Sequence, residues 1–115
     1  MRLRLPENAK IAITGEITRA TQRRDGKETE AVDEATGWPV LAFPLLLTAR
    51  GQRKEEAKAK ISVSPEEAEG WLSDDYTLER VEIADCEVST WAFKDDSGAV
   101  RSGMTVYGTG ISLLD

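Results

Sequence analysis

Residues 56–63, with the sequence EAKAKISV, run directly into Ser64-Pro65-Glu66-Glu67, and this stretch decides the fold. In its first part, small or apolar residues alternate with polar ones, which predicts a half-buried strand over Glu56–Val63 with Lys58 and Lys60 on its outer side. In its second part, the serine, the proline and the glutamate three residues after the serine form a capping box, which predicts the start of a short helix.

Two further strands are predicted before this stretch. Over Lys10–Gln22, isoleucines alternate with polar residues, which indicates a long first strand, and Gly15 indicates a bulge or bend in it. Trp38–Arg50 predicts the second strand, and its two prolines place that strand at an edge or a bulge. The polar residues of Arg23–Gly37 predict a long, mobile hairpin loop between the two strands.

Two more strands are predicted after the helix, which we expect to bury Ala68, Trp71 and Leu72. Leu78–Phe93 is rich in β-branched and aromatic residues and predicts a bent fourth strand, and Ala99–Leu113 predicts the fifth. The element order is then three strands, a short helix and two strands. This order predicts a mainly β fold, a five-stranded OB-like barrel with one short helix between strands 3 and 4. An open five-stranded sheet with one packed helix is the alternative.

The composition fits one folded domain over residues 1–115, since 40% of the residues are hydrophobic and 31% are charged. The longest apolar run, residues 40–47, is too short to cross a membrane, and the N-terminus lacks the features of a secretory signal. Cys86 is the only cysteine, which excludes a disulfide within the chain and predicts a small buried hydrophobe. We therefore expect a cytoplasmic protein without a membrane partner.

The residue types present argue against an enzyme. The chain has no histidine, which excludes Ser-His-Asp and Cys-His nucleophile systems and every histidine-based metal site. No stretch matches a phosphate-binding Walker loop. The glutamates of residues 66–69 suit the N-terminus of a helix, and Asp95-Asp96 suits a turn. We therefore predict no catalytic residue, no metal site and no cofactor.

The charge distribution points to a binding surface in the first half of the chain. The net charge is -6, but residues 1–60 carry twelve Lys/Arg against nine Asp/Glu, and residues 61–115 carry three against twelve. In an OB-like barrel, strands 2 and 3 and the neighbouring loops form the ligand face, where cations hold phosphates and aromatic rings stack on bases. The predicted nucleic-acid-binding residues are Arg19, Arg23, Arg24, Trp38, Phe43, Arg50, Arg53, Lys54, Lys58, Lys60 and Tyr107.

Two short motifs carry a resemblance to a known group of proteins. They are Asp33-Glu34-Ala35-Thr36-Gly37-Trp38-Pro39-Val40, followed by an apolar strand, and Tyr107-Gly108-Thr109-Gly110 at the end of a late strand. In these motifs the chain resembles small proteins of actinobacterial conjugative elements and phages. That group comprises replication, integration and excision accessory proteins, some of them similar to single-stranded-DNA-binding proteins. The resemblance implies a role in the replication or recombination of a mobile element.

Together these observations give two main functional hypotheses, with an enzyme that uses a carboxylate-bound metal as the third and last-ranked alternative. The first is an accessory protein that binds single-stranded DNA, with RNA left open, without marked sequence preference. Its partners would be the strand itself, a second copy of the chain, or a replication or recombination protein. The second is a protein-interaction or structural module without nucleic-acid binding, in which an oligomer buries Trp38 and Phe43 between subunits.

Overall fold

The structure, a computed structural model, describes residues 2–4, 10–48 and 54–114. Its strands are β1 (Arg2–Arg4), β2 (Lys10–Ile13), β3 (Thr18–Arg19), β4 (Thr21–Arg24), β5 (Lys27–Glu30), β6 (Val40–Thr48), β7 (Glu55–Ser62), β8 (Arg80–Ala84), β9 (Glu87–Lys94), β10 (Val100–Gly108) and β11 (Gly110–Leu113). The helix α1 spans Pro65–Leu72 and lies between β7 and β8. The described residues are therefore mainly β, and the helix follows the third predicted strand, as expected.

Nine of these strands form one sheet, in the order β1-β9-β10-β7-β6-β2-β8-β11, with β3 paired to β6. The β10–β7 pair is parallel, and the other pairs of this sheet are antiparallel. Only Asp85 and Cys86 separate β8 from β9, and only Thr109 separates β10 from β11. Each of these two pairs is one bent run of chain. They correspond to the predicted fourth and fifth strands. Each of these two predicted strands is divided into two shorter strands in the structure.

The two bends lie side by side. Thr109 donates a hydrogen bond from its N–H to the carbonyl oxygen of Ala84, at 3.0 Å, and another from its Oγ1 to Oδ2 of Asp85, at 2.7 Å. Asp85 has a φ of 50°, a left-handed conformation that aspartate tolerates better than most residues. These bonds fix the point at which both strands change direction.

The first predicted strand is interrupted where it passes Pro44. The N–H of Thr14 donates to the carbonyl oxygen of Pro44 at 3.0 Å, so the proline nitrogen, which has no hydrogen, also faces the gap between β2 and β3. A Cβ on Gly15 would lie 2.6 Å from Cγ of Pro44, which explains the glycine at the bend. The predicted bend at Gly15 is confirmed. The predicted edge position of the second strand is wrong, because β6 is paired on both sides.

The stretch predicted as a long loop contains a folded hairpin. The two strands β4 and β5 pair with each other, and Asp25 and Gly26 form the turn with φ angles of 52° and 76°. Positive φ at both central residues is typical of a type I′ turn, for which Asp-Gly is a favoured sequence. The description of Arg23–Gly37 as a loop is therefore wrong for its first part.

The core lies on the inner side of the sheet, and α1 contributes Ala68 to it. Its buried members are mostly aliphatic: Ile11, Ile13, Ile17, Leu41, Phe43, Leu45, Leu47, Ala57, Ala59, Ile61, Val63, Ala68, Val81, Ile83, Val88, Val106 and Ile111. The helix begins as predicted, since the Ser64 hydroxyl accepts a hydrogen bond from the N–H of Glu67 at 3.3 Å. Ala68 is buried, and Trp71 packs partly buried against the core. The prediction for Leu72 is wrong, because Leu72 is 38% exposed.

Candidate nucleic-acid interface

Four neighbouring strands, β6, β7, β10 and β9, share one solvent-exposed side, called the outer face below. Successive residues of a strand point to opposite sides, and residues paired across strands point to the same side. Because Ala59 and Val106 are fully buried, the residues before and after them point outwards. The outer face carries Pro44, Glu56, Lys58, Lys60, Glu87, Trp91, Phe93, Arg101, Gly103, Thr105 and Tyr107.

Two exposed rings stand together on the outer face. Trp91 is 46% exposed and Phe93 is 53% exposed, and their ring centroids are 5.6 Å apart with an interplanar angle of 21°. The two residues are two positions apart on β9, so both project from the same side of the strand. Exposed stacked rings of this kind offer flat apolar surfaces to a ligand with its own ring system.

Gly103 makes room for the Trp91 ring. Gly103 is paired with Trp91 across β9 and β10, and an added Cβ would lie 2.7 Å from Cε2 of the indole. The ring can therefore lie across β10 towards β7. There it borders a shallow cavity of about 530 Å³, which Pro44 and Lys58 also line.

Two predicted lysines and one predicted ring lie beside these aromatic residues. In the parallel β7–β10 pair, Lys58 is the partner of Thr105, and Lys60 is the partner of Tyr107. Both lysines are exposed, and Tyr107 is half-buried. The structure thus brings Lys58, Lys60 and Tyr107 together. Tyr107 lies on the strand next to that of Trp91, and the two lysines lie one strand further away.

The outer face also carries opposite charge, which limits its positive potential. Glu56 and Glu87 lie on this side. Arg101, the partner of Phe93, is held by Asp95, with 2.9 Å between its Nε and Oδ2. Asp95 also accepts hydrogen bonds from the backbone of residues 97 and 99, so it organises the turn at the end of the β9–β10 hairpin. The pKa of Asp95 is lowered, first by the Ser97 hydroxyl and then by Arg101.

Arg19 does not join this group. It pairs with the buried Leu41 in the β3–β6 ladder, so it lies on the opposite side of the sheet from Lys58. Its Nη1 lies 2.8 Å from Oε2 of Glu30, and its Nε is buried without a hydrogen-bond partner among the described residues. Arg19 therefore holds the base of the β4–β5 hairpin.

The other predicted cations lie outside the outer face or outside the described residues. Arg23 is exposed on the hairpin, opposite Glu28, so its charge faces a carboxylate. Arg24 is the backbone partner of Lys27 in the same hairpin. Lys54 is exposed just before β7. Arg50 and Arg53, which the sequence also predicts as phosphate contacts, lie outside the described residues.

Two predicted stacking rings are placed elsewhere. Phe43 is 3% exposed within the core, so no face of its ring is open to a base and no subunit contact can bury it further. Trp38 is exposed and precedes β6, and its backbone N–H donates a hydrogen bond to the Thr36 hydroxyl oxygen at 3.2 Å. From Trp38 to Pro44, the partner of Lys58, is six residues, or about 20 Å along a strand. Trp38 is therefore at the far end of the face.

The aromatic pair was missed at the sequence level, although both residues lie in the predicted fourth strand. The sequence feature that indicates them is the spacing of Trp91 and Phe93, which gives two large rings on one side of a strand. Val88, on the other side of β9, is buried and marks that side as inward. The bend before β9 hides this relationship.

The Cys86 thiol is a weaker acid than an ordinary cysteine thiol. Burial first, and the nearby Glu87 carboxylate second, raise the pKa of the half-buried Cys86 thiol to about 11. Residues 10–48 and 54–114 hold no group of three or more Cys, Asp or Glu residues arranged to bind a metal ion. Across the same ranges, no helix has the length and apolar character needed to span a bilayer.

Comparison with known proteins gives a likeness of fold and no match of sequence. No protein-family model matches the chain, and no curated protein matches its sequence. Among solved structures, the chain is similar to the mitochondrial single-stranded DNA-binding protein Rim1 of S. cerevisiae, with a TM-score of 0.54 and 14% identity. The likeness covers 100% of this chain and 93% of that chain. At this identity it shows a shared fold, and it supports the predicted OB-like arrangement.

Proposed function

We propose that this protein binds single-stranded DNA on the outer face of its sheet, without enzymatic activity. The observation that carries the proposal is the exposed Trp91–Phe93 stack, which shares the outer face with Lys58 and Lys60 two strands away. Single-strand binders combine such rings, which stack on bases, with cations that follow the phosphates. The fold shared with a single-stranded DNA-binding protein supports the same conclusion.

The physical roles divide among the residues of the outer face. Trp91 and Phe93 stack on bases, with Gly103 keeping the indole flat against the sheet. Lys58 and Lys60 neutralise phosphates. The ladders that join β2 to β8 and β7 to β10 belong to one sheet, which suits an OB-like arrangement and supports these side chains. Glu56 and Glu87 limit loose binding by repelling misplaced phosphates.

We propose in addition a role in replication or recombination, because both processes expose single strands that must be covered. We extend the proposal to the binding of RNA and to a cytoplasmic location. Replication or recombination proteins, or a second copy of the chain, would be the partners. We also propose that the protein serves a phage or mobile element, which rests on the motifs around Trp38 and Tyr107.

The test is fluorescence anisotropy of a labelled dT oligonucleotide, titrated at about 50 and about 200 mM salt beside a matched duplex. The proposal predicts salt-sensitive binding that prefers the single strand. In the K58E/K60E variant the slope of log affinity against log salt should fall by about 1.4, since each phosphate contact contributes about 0.7 for single strands. The K27E variant, changed on the hairpin, is the matched control and should keep the wild-type slope.

The protein-interaction module stays a second candidate, because the exposed rings of Trp91 and Phe93 also suit an apolar protein partner. The same titration separates the two. Absence of binding at tens of micromolar, or equal affinity in K58E/K60E and wild type, would favour the interaction module.

A further inference from the structure

Cations of the outer face lie on both sides of the aromatic pair. On β10, Arg101 is the partner of Phe93, and Thr105 is the partner of Lys58 in the parallel ladder. Trp91 is paired with β10 between these two positions. From Arg101 to Thr105 is four residues, or about 13 Å along a strand. The rings therefore lie between Arg101, near the turn of the β9–β10 hairpin, and the lysines of β7.

Arg101 is held in position without being covered. Its Nε–H donates a hydrogen bond to Oδ2 of Asp95 at 2.9 Å, and a guanidinium has further N–H donors on its Nη atoms. The Arg101 side chain is 68% exposed, whereas that of Asp95 is 20% exposed. A phosphate that approaches the outer face therefore meets the guanidinium before it meets the carboxylate.

The carboxylate of Asp95 also serves the turn that it organises. Its Oδ1 accepts hydrogen bonds from the N–H and the hydroxyl of Ser97 and from the N–H of Ala99. Because several donors share this carboxylate, its negative charge is spread over the turn and is not directed at Arg101 alone. Asp95 thus fixes the direction of the Arg101 side chain and leaves its outer edge open to a second anion.

We infer that Arg101 contacts a phosphate of the bound strand, an inference that rests on the proposed single-strand binding. A guanidinium is a planar fork that matches two oxygens of one phosphate. The strand then runs from Arg101 across Phe93 and Trp91 to Lys58, with its bases on the rings. Arg101 is the third cation of the interface and holds the end of the track nearest the hairpin turn.

Glu56 supports this division between bases and phosphates. It lines the same cavity as Trp91 and Lys58. Its carboxylate repels a phosphate placed beside the indole, but it does not repel an uncharged base. The middle of the track therefore takes bases, and the phosphate contacts lie at its two ends.

The test compares R101Q with the control R80Q, by anisotropy of a labelled dT oligonucleotide at about 50 and about 200 mM salt. Arg80 is an exposed arginine on β8, three strands beyond β7, so both variants change the net charge equally. In R101Q the slope of log affinity against log salt should fall by about 0.7, and affinity at about 50 mM salt should fall about eightfold, as expected for one lost phosphate contact. R80Q should keep the wild-type slope.

The salt slope separates a phosphate contact from a purely structural role. If Arg101 only stabilised the hairpin turn, R101Q would lower the melting temperature and leave the slope unchanged, which would overturn the inference. R101K keeps the charge but loses the fork, so it should keep the slope and bind more weakly than wild type. A slope that falls as far in R101K as in R101Q would also count against a phosphate at this position.

The outcomes distinguish this inference from the function it rests on. If wild type binds the dT oligonucleotide and R101Q has the slope of R80Q, the role of Arg101 is wrong and single-strand binding stands. If wild type binds no oligonucleotide, both fail together.

Discussion

The indole ring of Trp91 lies across Gly103 of the neighbouring strand, in the space that a Cβ would occupy. The contact is exposed, and the ring atoms are side-chain atoms that can move. An alanine here would therefore displace the ring without disturbing the core. The shape of the proposed binding face thus depends on Gly103.

The G103A variant should bind single strands more weakly and remain stable. Stacking on one ring contributes about 1–3 kcal/mol per base, and a displaced ring should lose about 1 kcal/mol of it, or about fivefold in affinity. The free energy of unfolding should change by less than about 0.5 kcal/mol, as for most surface substitutions. Anisotropy and thermal melting measure the two effects, and wild-type affinity in G103A would argue against the role of the Trp91 ring.

The G108A variant should behave in the opposite way. A Cβ at Gly108 would overlap Cγ2 of the buried Ile83 and lie 2.9 Å from the carbonyl oxygen of Ala84. Neither neighbour can move without cost, so the free energy of unfolding should fall by about 1–3 kcal/mol. Urea denaturation checks this, with G103A as the matched glycine-to-alanine control. Equal stability of the two variants would contradict the packing around the strand bend.

The sequence alone did not reveal the aromatic pair, because it does not show which side of the strand each ring faces. Before the bend, the buried residue Ile83 has an odd number, whereas after it the buried residue is Val88. The left-handed Asp85 and the following residue shift the alternation by one position. An uninterrupted strand would place Trp91 and Phe93 in the core. The elements themselves were predictable, but the side that each ring faces depends on this irregularity.

Local sequence features succeeded where one residue type decides the geometry. The helix N-cap at Ser64 and the bend at Gly15 are present as predicted. The Asp25-Gly26 turn was equally visible in the sequence, but the charged residues around it concealed the hairpin. Phe43 shows the remaining limit, since a ring on a strand is equally compatible with the core and with the surface until the register is known.

Removal of the helix cap should destabilise the protein measurably. In S64A the N–H of Glu67 loses its partner, so the free energy of unfolding should fall by about 1 kcal/mol. Thermal or urea unfolding measures the change. The control is S112A, an exposed serine on β11, which should unfold like wild type. A wild-type stability for S64A would mean that the cap does not contribute.

The Cys86 thiol should react slowly with alkylating agents. With a pKa of about 11 rather than 9, the thiolate fraction at pH 8 is about 100-fold lower. The rate of iodoacetamide modification in the folded protein should therefore be far below that of the same thiol in denaturant, and it should rise up to about pH 11. A rate that levels off near pH 9 would contradict the raised pKa.

The most direct test of the central claim is the single-strand affinity of W91A/F93A, measured by anisotropy with a labelled dT oligonucleotide. Both rings are exposed, so the variant should remain folded, which circular dichroism checks. Loss of two stacking surfaces should cost at least about 2 kcal/mol, or about 30-fold in affinity, whereas W38A should bind like wild type. Wild-type affinity in folded W91A/F93A would contradict the proposed interface.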